Sequence, residues 1–351
     1  MGNKLIGSAS GPDGDWHLNA CVGNNTGMLD NSIGYSEGFR AAAELMLKMV
    51  GVVRPANASE SWGEYPYIDA LVYPICYSAR HHVELALKRA IPVAWKILTI
   101  RFPDKARKLS VPRGVEQTHS IQGVWQKVHA ICEAADNRLE ECVSRLKEYV
   151  DDLEDVDSTG QTFRYASEAD TSLPHLSETR HINLQIYANR YSETCRHLES
   201  LEMTLELVLD EYLTGSFTKK LNREQLVDIA KRLPARDQWE TGEFSKAKSE
   251  VMSLYCLSSN DFQKACVVIQ SRRGLASIIG VHIPIPEISS DTFRKLLCAF
   301  EGDDIALNSF EDTERSALFA LYRIGCGPTY PEYFDCVRSK PRPSDEGVHS
   351  P

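Results

Sequence analysis

The chain has 351 residues, 42% hydrophobic and 25% charged, enough to bury a core without staples and more in keeping with two domains than one. Its 39 basic and 49 acidic residues leave a formal net charge of -10, which argues against coating duplex DNA by broad phosphate neutralisation. No run approaches the roughly 20 apolar residues of a membrane helix, because the most apolar stretch, Ala70 to Cys76, gives way to Arg80, His81 and His82.

Residues 1–33 are rich in Gly, Asn and Asp and show no periodicity, so they read as an irregular arm with Trp16 as its anchor. Met1 to Asp15 holds no apolar stretch and no small-residue cleavage site, so no secretory signal is read and a cytoplasmic location is expected. The ten cysteines stand singly, without a C-x-x-C pair or a short-range Cys/His cluster. That pattern points to free thiols in a reducing compartment and to no metal or cofactor. Cys132, Cys142 and Cys195 fall at helical core spacing, where a thiol packs as a small hydrophobe.

From Tyr35 the pattern becomes helical, with Phe39, Ala42, Ala43, Met46, Leu47 and Val50 on one face and Gly51 as the stop. Residues 52–66 carry loop chemistry in Pro55, Gly63 and Pro66. Tyr67 to Ile91 then reads as a central helix, kinked or started at Pro74, and Pro92 to Leu109 as a shorter piece broken at Pro103. His119 to Val150 shows one long apolar stripe, capped by Thr118, that runs into an acidic loop, Asp151 to Asp157, with its carboxylates in water. Thr162 to Tyr165 reads as extended. His181 to Leu213 is the cleanest helix, stopped by Gly215. Shorter helices follow over 222–233, 244–257, 261–279, 292–300 and 311–324, two of them starting at the capping pairs Ser258/Asp261 and Ser309/Asp312. Ile278 to Ile288, interrupted by Pro284 and Pro286, reads as an extended crossover.

The fold expected is all-α: a bundle over residues 34–215, a smaller helical domain over 216–337 and a disordered tail over 338–351. On the central helix, Arg80, Glu84 and Lys88 stand at i, i+4 and i+8 with opposite charges adjacent, joined by His81. Such a row is either a buried ion-pair ladder that fixes register or a substrate-facing cluster. Asp155-x-Asp157-x-Thr159-Gly160 imitates the first half of a calcium loop, but its twelfth position is Ala166, where a bidentate carboxylate is required.

The run Tyr73-Pro74-Ile75-Cys76-Tyr77-Ser78-Ala79-Arg80-His81-His82-Val83-Glu84-Leu85-Ala86-Leu87-Lys88 resembles a segment of HEPN-like bacterial proteins. His119-Ser120-Ile121 with Trp125, Phe163-Arg164-Tyr165, and Tyr35 to Phe39 before an alanine-rich helix extend the likeness over about residues 35–213. The resemblance implies an antiparallel HEPN-like bundle that dimerises, and in many members a metal-independent ribonuclease site built from an Arg and a His on one helix. There the Arg stabilises the phosphorane while the imidazole moves the 2′-hydroxyl proton.

Arg190 and His197, with six residues between them, match that spacing and point the same way on a helix. Arg113/His119 and Arg342/His349 match it too, but the first crosses Gly114 and the second falls in the tail. Members usually carry a polar residue directly after the Arg, and here it is Tyr191. Two functions therefore stay open. One is a helical interaction or regulatory module, a subunit in a bacterial antiviral defence system, with a protein partner or a second copy of itself. The other is a HEPN-type ribonuclease or toxin-like effector, with RNA as partner, acting through Arg190 and His197.

Overall fold

The protein is all-α in the computed structural model, which describes residues 20, 31–51, 68–109, 118–167, 173–285, 288–300, 309–326 and 330–332. Among these residues there is no strand, only one isolated bridge between Ser167 and Pro174. No helix among them is long and apolar enough to cross a membrane. Trp16, most of the arm, the 52–66 loop, the 338–351 tail, Arg113, Arg342 and His349 lie outside the described residues.

Helix α1 spans Asn31–Met49, so it takes up the last residues of the expected arm. It stops at Gly51, which sits at φ 77 as its N–H returns to the Lys48 carbonyl. Helix α2 runs unbroken over Ile68–Arg101, through Pro74 and through Pro92, where a break was expected. Each proline removes one backbone hydrogen bond, but the buried stripe continues past Pro92 in Ala94, Ile97 and Leu98, and its burial outweighs the loss. The chain does break at Pro103, which opens α3 (Pro103–Leu109) as its first residue, where a missing N–H costs nothing.

The long helix expected over 119–150 is three: α4 (Ile121–Ala135), α5 (Asn137–Ser144) and α6 (Lys147–Val156). The first break falls at Asp136, whose Oδ1 accepts the Arg138 N–H at 3.0 Å and so caps α5. Periodicity cannot register this break, because Cys132, Ala135, Leu139, Val143 and Leu146 keep one buried stripe across it. The cap of α4 is Ser120 rather than Thr118, its Oγ accepting the Gly123 N–H at 2.9 Å. Residues 151–156, expected as a loop, form the last turns of α6, and 162–164 form a turn rather than an extended piece.

Helix α7 covers Leu184–Leu213, its start held by Asn183 Oδ1, which accepts the N–H groups of Gln185 and Ile186. At its end Gly215, φ 65, sends its N–H to the Tyr212 carbonyl while Ser216 N–H reaches Glu211, a Schellman closure. After it come α8 (Arg223–Arg232), α9 (Gly242–Leu254), α10 (Ser259–Ser271), α11 (Arg273–Ile278), α12 (Ser290–Phe300) and α13 (Asp312–Cys326). The helix expected over 261–279 is thus two, parted at Arg272, whose Nε donates to the Gly215 carbonyl. Ser258 and Asp261 form the expected capping box. The other expected box is displaced, since α13 begins at Asp312 and it is Glu314 that accepts the Glu311 N–H.

The chain packs as two units that are not consecutive in sequence. Unit 1 comprises residues 1–89, 113–128 and 145–198, and unit 2 comprises 90–112, 129–144 and 199–351. The division passes within α2, α4 and α7. In unit 2 a core of Leu226, Ile229, Val251, Phe262, Ile269 and Leu275 gathers α8 to α11. Unit 2 also holds a polar knot around Asp136, whose side chain is fully buried. Asp136 accepts from Arg138, from Arg101 at 2.7 Å and from the Tyr212 hydroxyl at 2.5 Å, while Arg138 also reaches Glu211 at 2.9 Å.

Candidate functional site

The candidate site lies wholly in unit 1, where α2, α6, α7 and the turn after α6 surround a cavity of about 440 Å³. Such a volume matches sites for small organic molecules. Its walls are mainly apolar, formed by Val83, Leu153, Phe163 and Ile186, with Tyr187 and Tyr191 from α7.

One end is closed by Arg80. The guanidinium is buried and donates to Glu84 Oε2 at 2.7 Å, to the Asp157 carbonyl at 3.0 Å and to the His119 carbonyl at 2.5 Å. It therefore ties α2 to the residues leading into α4 and to the end of α6. Lys88 completes the row on Glu84 Oε1 at 2.7 Å, and the His119 ring stands 3.3 Å from the same oxygen. Burial works to raise the Glu84 pKa, but hydrogen bonds from His81, Lys88 and Arg80 overcome it and hold the carboxyl below the usual carboxylate range. The structure thus brings Arg80, His81, Lys88 and His119 together on the Glu84 carboxylate, with Arg80 and Glu84 buried, His81 and Lys88 partly exposed and the His119 side chain exposed. Arg164, exposed, lies over the Tyr77 ring, on which His81 stacks.

Asp157 and Gly160 complete this end, and the sequence offers them only as part of an incomplete calcium loop. Asp157, expected in water, is buried, and its Oδ1 accepts the N–H groups of Gln161 and Thr162 at 2.9 and 3.1 Å. Gly160, at φ 74, lies so close that a Cβ there would stand 2.9 Å from the Arg80 guanidinium. The stretch that imitates a calcium loop is in fact a turn that seats Arg80. Gly160→Ala is expected to cost at least about 2 kcal/mol, from the left-handed backbone and the clash together. Gly38→Ala, in helix α1 with open space around it, should instead stabilise by roughly 0.5–1 kcal/mol. Urea unfolding of the two variants checks the pair, and equal effects would refute the account of Gly160.

At the rim stands Arg190, one of the two residues singled out for catalysis. Arg190 is 35% exposed in its side chain and reaches Asp152 Oδ2 at 2.6 Å and Glu148 Oε1 at 2.9 Å, with Glu193 at 3.8 Å. Its guanidinium lies 4.3 Å over the Tyr149 ring, and the His197 ring lies 5.4 Å from that same ring. Arg190 and His197 therefore do share one surface, on Tyr149. The carboxylates around the cation repel a phosphodiester, however, and a phosphate would have to displace them.

Behind Tyr191, His82 is buried with its Nδ1 3.0 Å from the tyrosine hydroxyl. Burial first, and then the cations Arg40 and Arg89, push its pKa down from 6.5 to about 4. A histidine that resists protonation in the fold but not in the unfolded chain gives stability that is complete above pH 6.5 and is lost as pH falls towards 4. Wild type should lose about 3 kcal/mol across that window. Unfolding free energies at stepped pH should show the slope in wild type and not in His82→Gln; an unchanged slope in the variant would assign it elsewhere.

No family model, no curated protein sequence and no solved structure matches the chain.

Proposed function

We propose that the protein is a non-catalytic helical interaction module whose unit 1 holds a small molecule in the cavity between α2, α6 and α7. The observation that carries this reading is the division of labour around the cavity. The charged groups at its end and rim are committed to one another, while the wall left for a ligand is apolar. Ion pairs of this kind, buried at Arg80 and partly exposed at Arg190, fix geometry and occupy the charged groups that would otherwise serve as acid or base. As an interaction module the protein would act with a protein partner or a second copy of itself, and a small molecule in unit 1 would regulate that act by stabilising the folded unit.

The test is a thermal-shift screen of small apolar-bodied molecules against wild type and Ile186→Trp, which fills the cavity from its rim. A ligand at about 100 times its dissociation constant should add about 2.7 kcal/mol to wild type and little to the variant. Ligands that shift both proteins alike would place binding elsewhere and remove the support for this reading.

A second reading, metal-independent RNA cleavage, is favoured by the shared position of Arg190 and His197 on the Tyr149 ring. Cleavage of a mixed RNA pool in excess chelator, lost in both Arg190→Ala and His197→Ala, would establish it in place of the first.

A further inference from the structure

We propose that unit 2 carries a peptide-recognition site, formed by Arg223 on α8 and the Gly274 backbone on α11, that takes an aromatic-Pro-Glu segment of a partner protein. The chain's own Tyr330-Pro331-Glu332 occupies it in cis. The assignment rests on the reading of the chain as an interaction module and names its surface and the chemistry of its partner.

The occupant defines what the site recognises. Glu332 is 1% exposed, and its Oε1 accepts the Gly274 N–H at 3.1 Å. Arg223 supplies the charge, its Nη2 donating to Oε1 and Oε2 at 3.3 and 3.2 Å. The same guanidinium lies 4.0 Å over the Tyr330 ring, a cation–π contact that reads an aromatic two residues before the acid. Gly274 makes the room, since a Cβ there would stand 2.8 Å from Glu332 Oε1 and 3.2 Å from Pro331 Cγ. A ring, a proline and a carboxylate in fixed order specify a sequence and not a charge alone.

Two features mark the segment as a latch that can be displaced. Among the described residues, 330–332 make no backbone-to-backbone hydrogen bond, so side chains carry its hold. The ion pair is also loose. Both oxygens share one nitrogen, at distances beyond the roughly 2.7–2.9 Å of a good charge-assisted bond, and Nε has no acceptor among the described residues. The parallel two-nitrogen pairing that makes arginine–carboxylate contacts strong is therefore not formed. What favours the latch is its tether, which gives it a local concentration on the order of millimolar. A partner's peptide should accordingly bind the wild type weakly and a latch-free protein well.

The test titrates a fluorescein-labelled peptide with the sequence of residues 328–334 against the full-length chain, read by anisotropy. Tyr330→Ala with Glu332→Ala frees the site and should bind the peptide at least about tenfold more tightly than wild type. In that background Arg223→Ala should weaken binding at least about tenfold, and so should Glu332→Gln in the peptide. Arg223→Ala removes a cation that has already lost its carboxylate, so it adds no unpaired charge to the fold. Binding that ignores both charge substitutions, or that is absent from the latch-free protein, would overturn the site and leave the unit 1 cavity to its thermal-shift test. Tyr330→Ala alone keeps the ion pair and serves if the double variant does not fold. It should bind at least about threefold more tightly than wild type, and equal binding would overturn the proposal. Wild-type dimers that Glu332→Ala abolishes, read by light scattering, would make a second copy the occupant and overturn the partner assignment.

Discussion

Arg80→Leu is expected to destabilise the protein by about 3–5 kcal/mol, because it removes the cation from two carboxylates that stay buried. Glu84 and Asp157 each face the guanidinium, and two backbone carbonyls lose their donor as well. The geometry sets this apart from a surface pair. Lys147 and Asp151 also form an i, i+4 pair, but both are exposed, and Lys147→Ala should cost no more than about 0.5 kcal/mol. Denaturant midpoints at an unchanged slope provide the comparison. Arg80→Leu with Glu84→Leu should recover part of the loss, since Glu84 would otherwise keep only Lys88 on one of its two buried oxygens, while Asp157 keeps its two backbone donors. A cost for Arg80→Leu no larger than that of Lys147→Ala would mean that the row is solvated and does not brace the cavity.

The same residues show what the sequence can disclose. Arg80, Glu84 and Lys88 are legible because helical geometry turns a spacing of four into adjacency on one face. Asp157 is not, because it meets Arg80 across 77 residues and its neighbours are acidic, so composition alone places it in water. Gly160 carries a signal, a glycine after an Asp-rich turn, but nothing in the sequence says that Arg80 fills the space where its Cβ would stand. The cavity is legible only as separate helix faces. Val83 lies on a helix that reads correctly by itself and Ile186, exposed, on no expected stripe of α7, while the opening between them depends on how the helices pack.

Helix ends follow the same logic. Gly51, Gly215 and Ser258 announce themselves, because a left-handed stop or a capping box is a local choice of residue. The breaks at Asp136 and Arg272 are made by side chains bonding to backbone, and at Asp136 the apolar stripe continues unaltered through the break. Arg190 and His197 illustrate the limit for a site. Their spacing places them on one face, which is where they are, but spacing carries no information about Glu148 and Asp152 on α6, whose carboxylates take up the guanidinium.

In unit 2 the largest expected effect belongs to Asp136, a residue whose two roles can be separated by substitution. Asp136→Ala removes the cap of α5 and the acceptor shared by Arg101, Arg138 and Tyr212, and should cost about 3–5 kcal/mol. Asp136→Asn keeps an oxygen for the Arg138 N–H but gives up the charge that balances two guanidinium groups. Burial acts to raise the Asp136 pKa, but hydrogen bonds from Arg138 and Tyr212 prevail and hold it below the usual range for aspartate. A carboxylate depressed in the fold gives stability that is complete above the unfolded value, about 3.9, and is lost as pH falls through the folded one. The gap between wild type and Asp136→Asn should therefore be the same at pH 7 and pH 5 and narrow only in stronger acid. The helix cap is worth about 1 kcal/mol, so a large cost shared by both variants would mean that charge balance dominates the knot. A near-neutral Asp136→Asn would instead leave Asp136 as a cap whose guanidinium neighbours are satisfied by Glu211 and solvent.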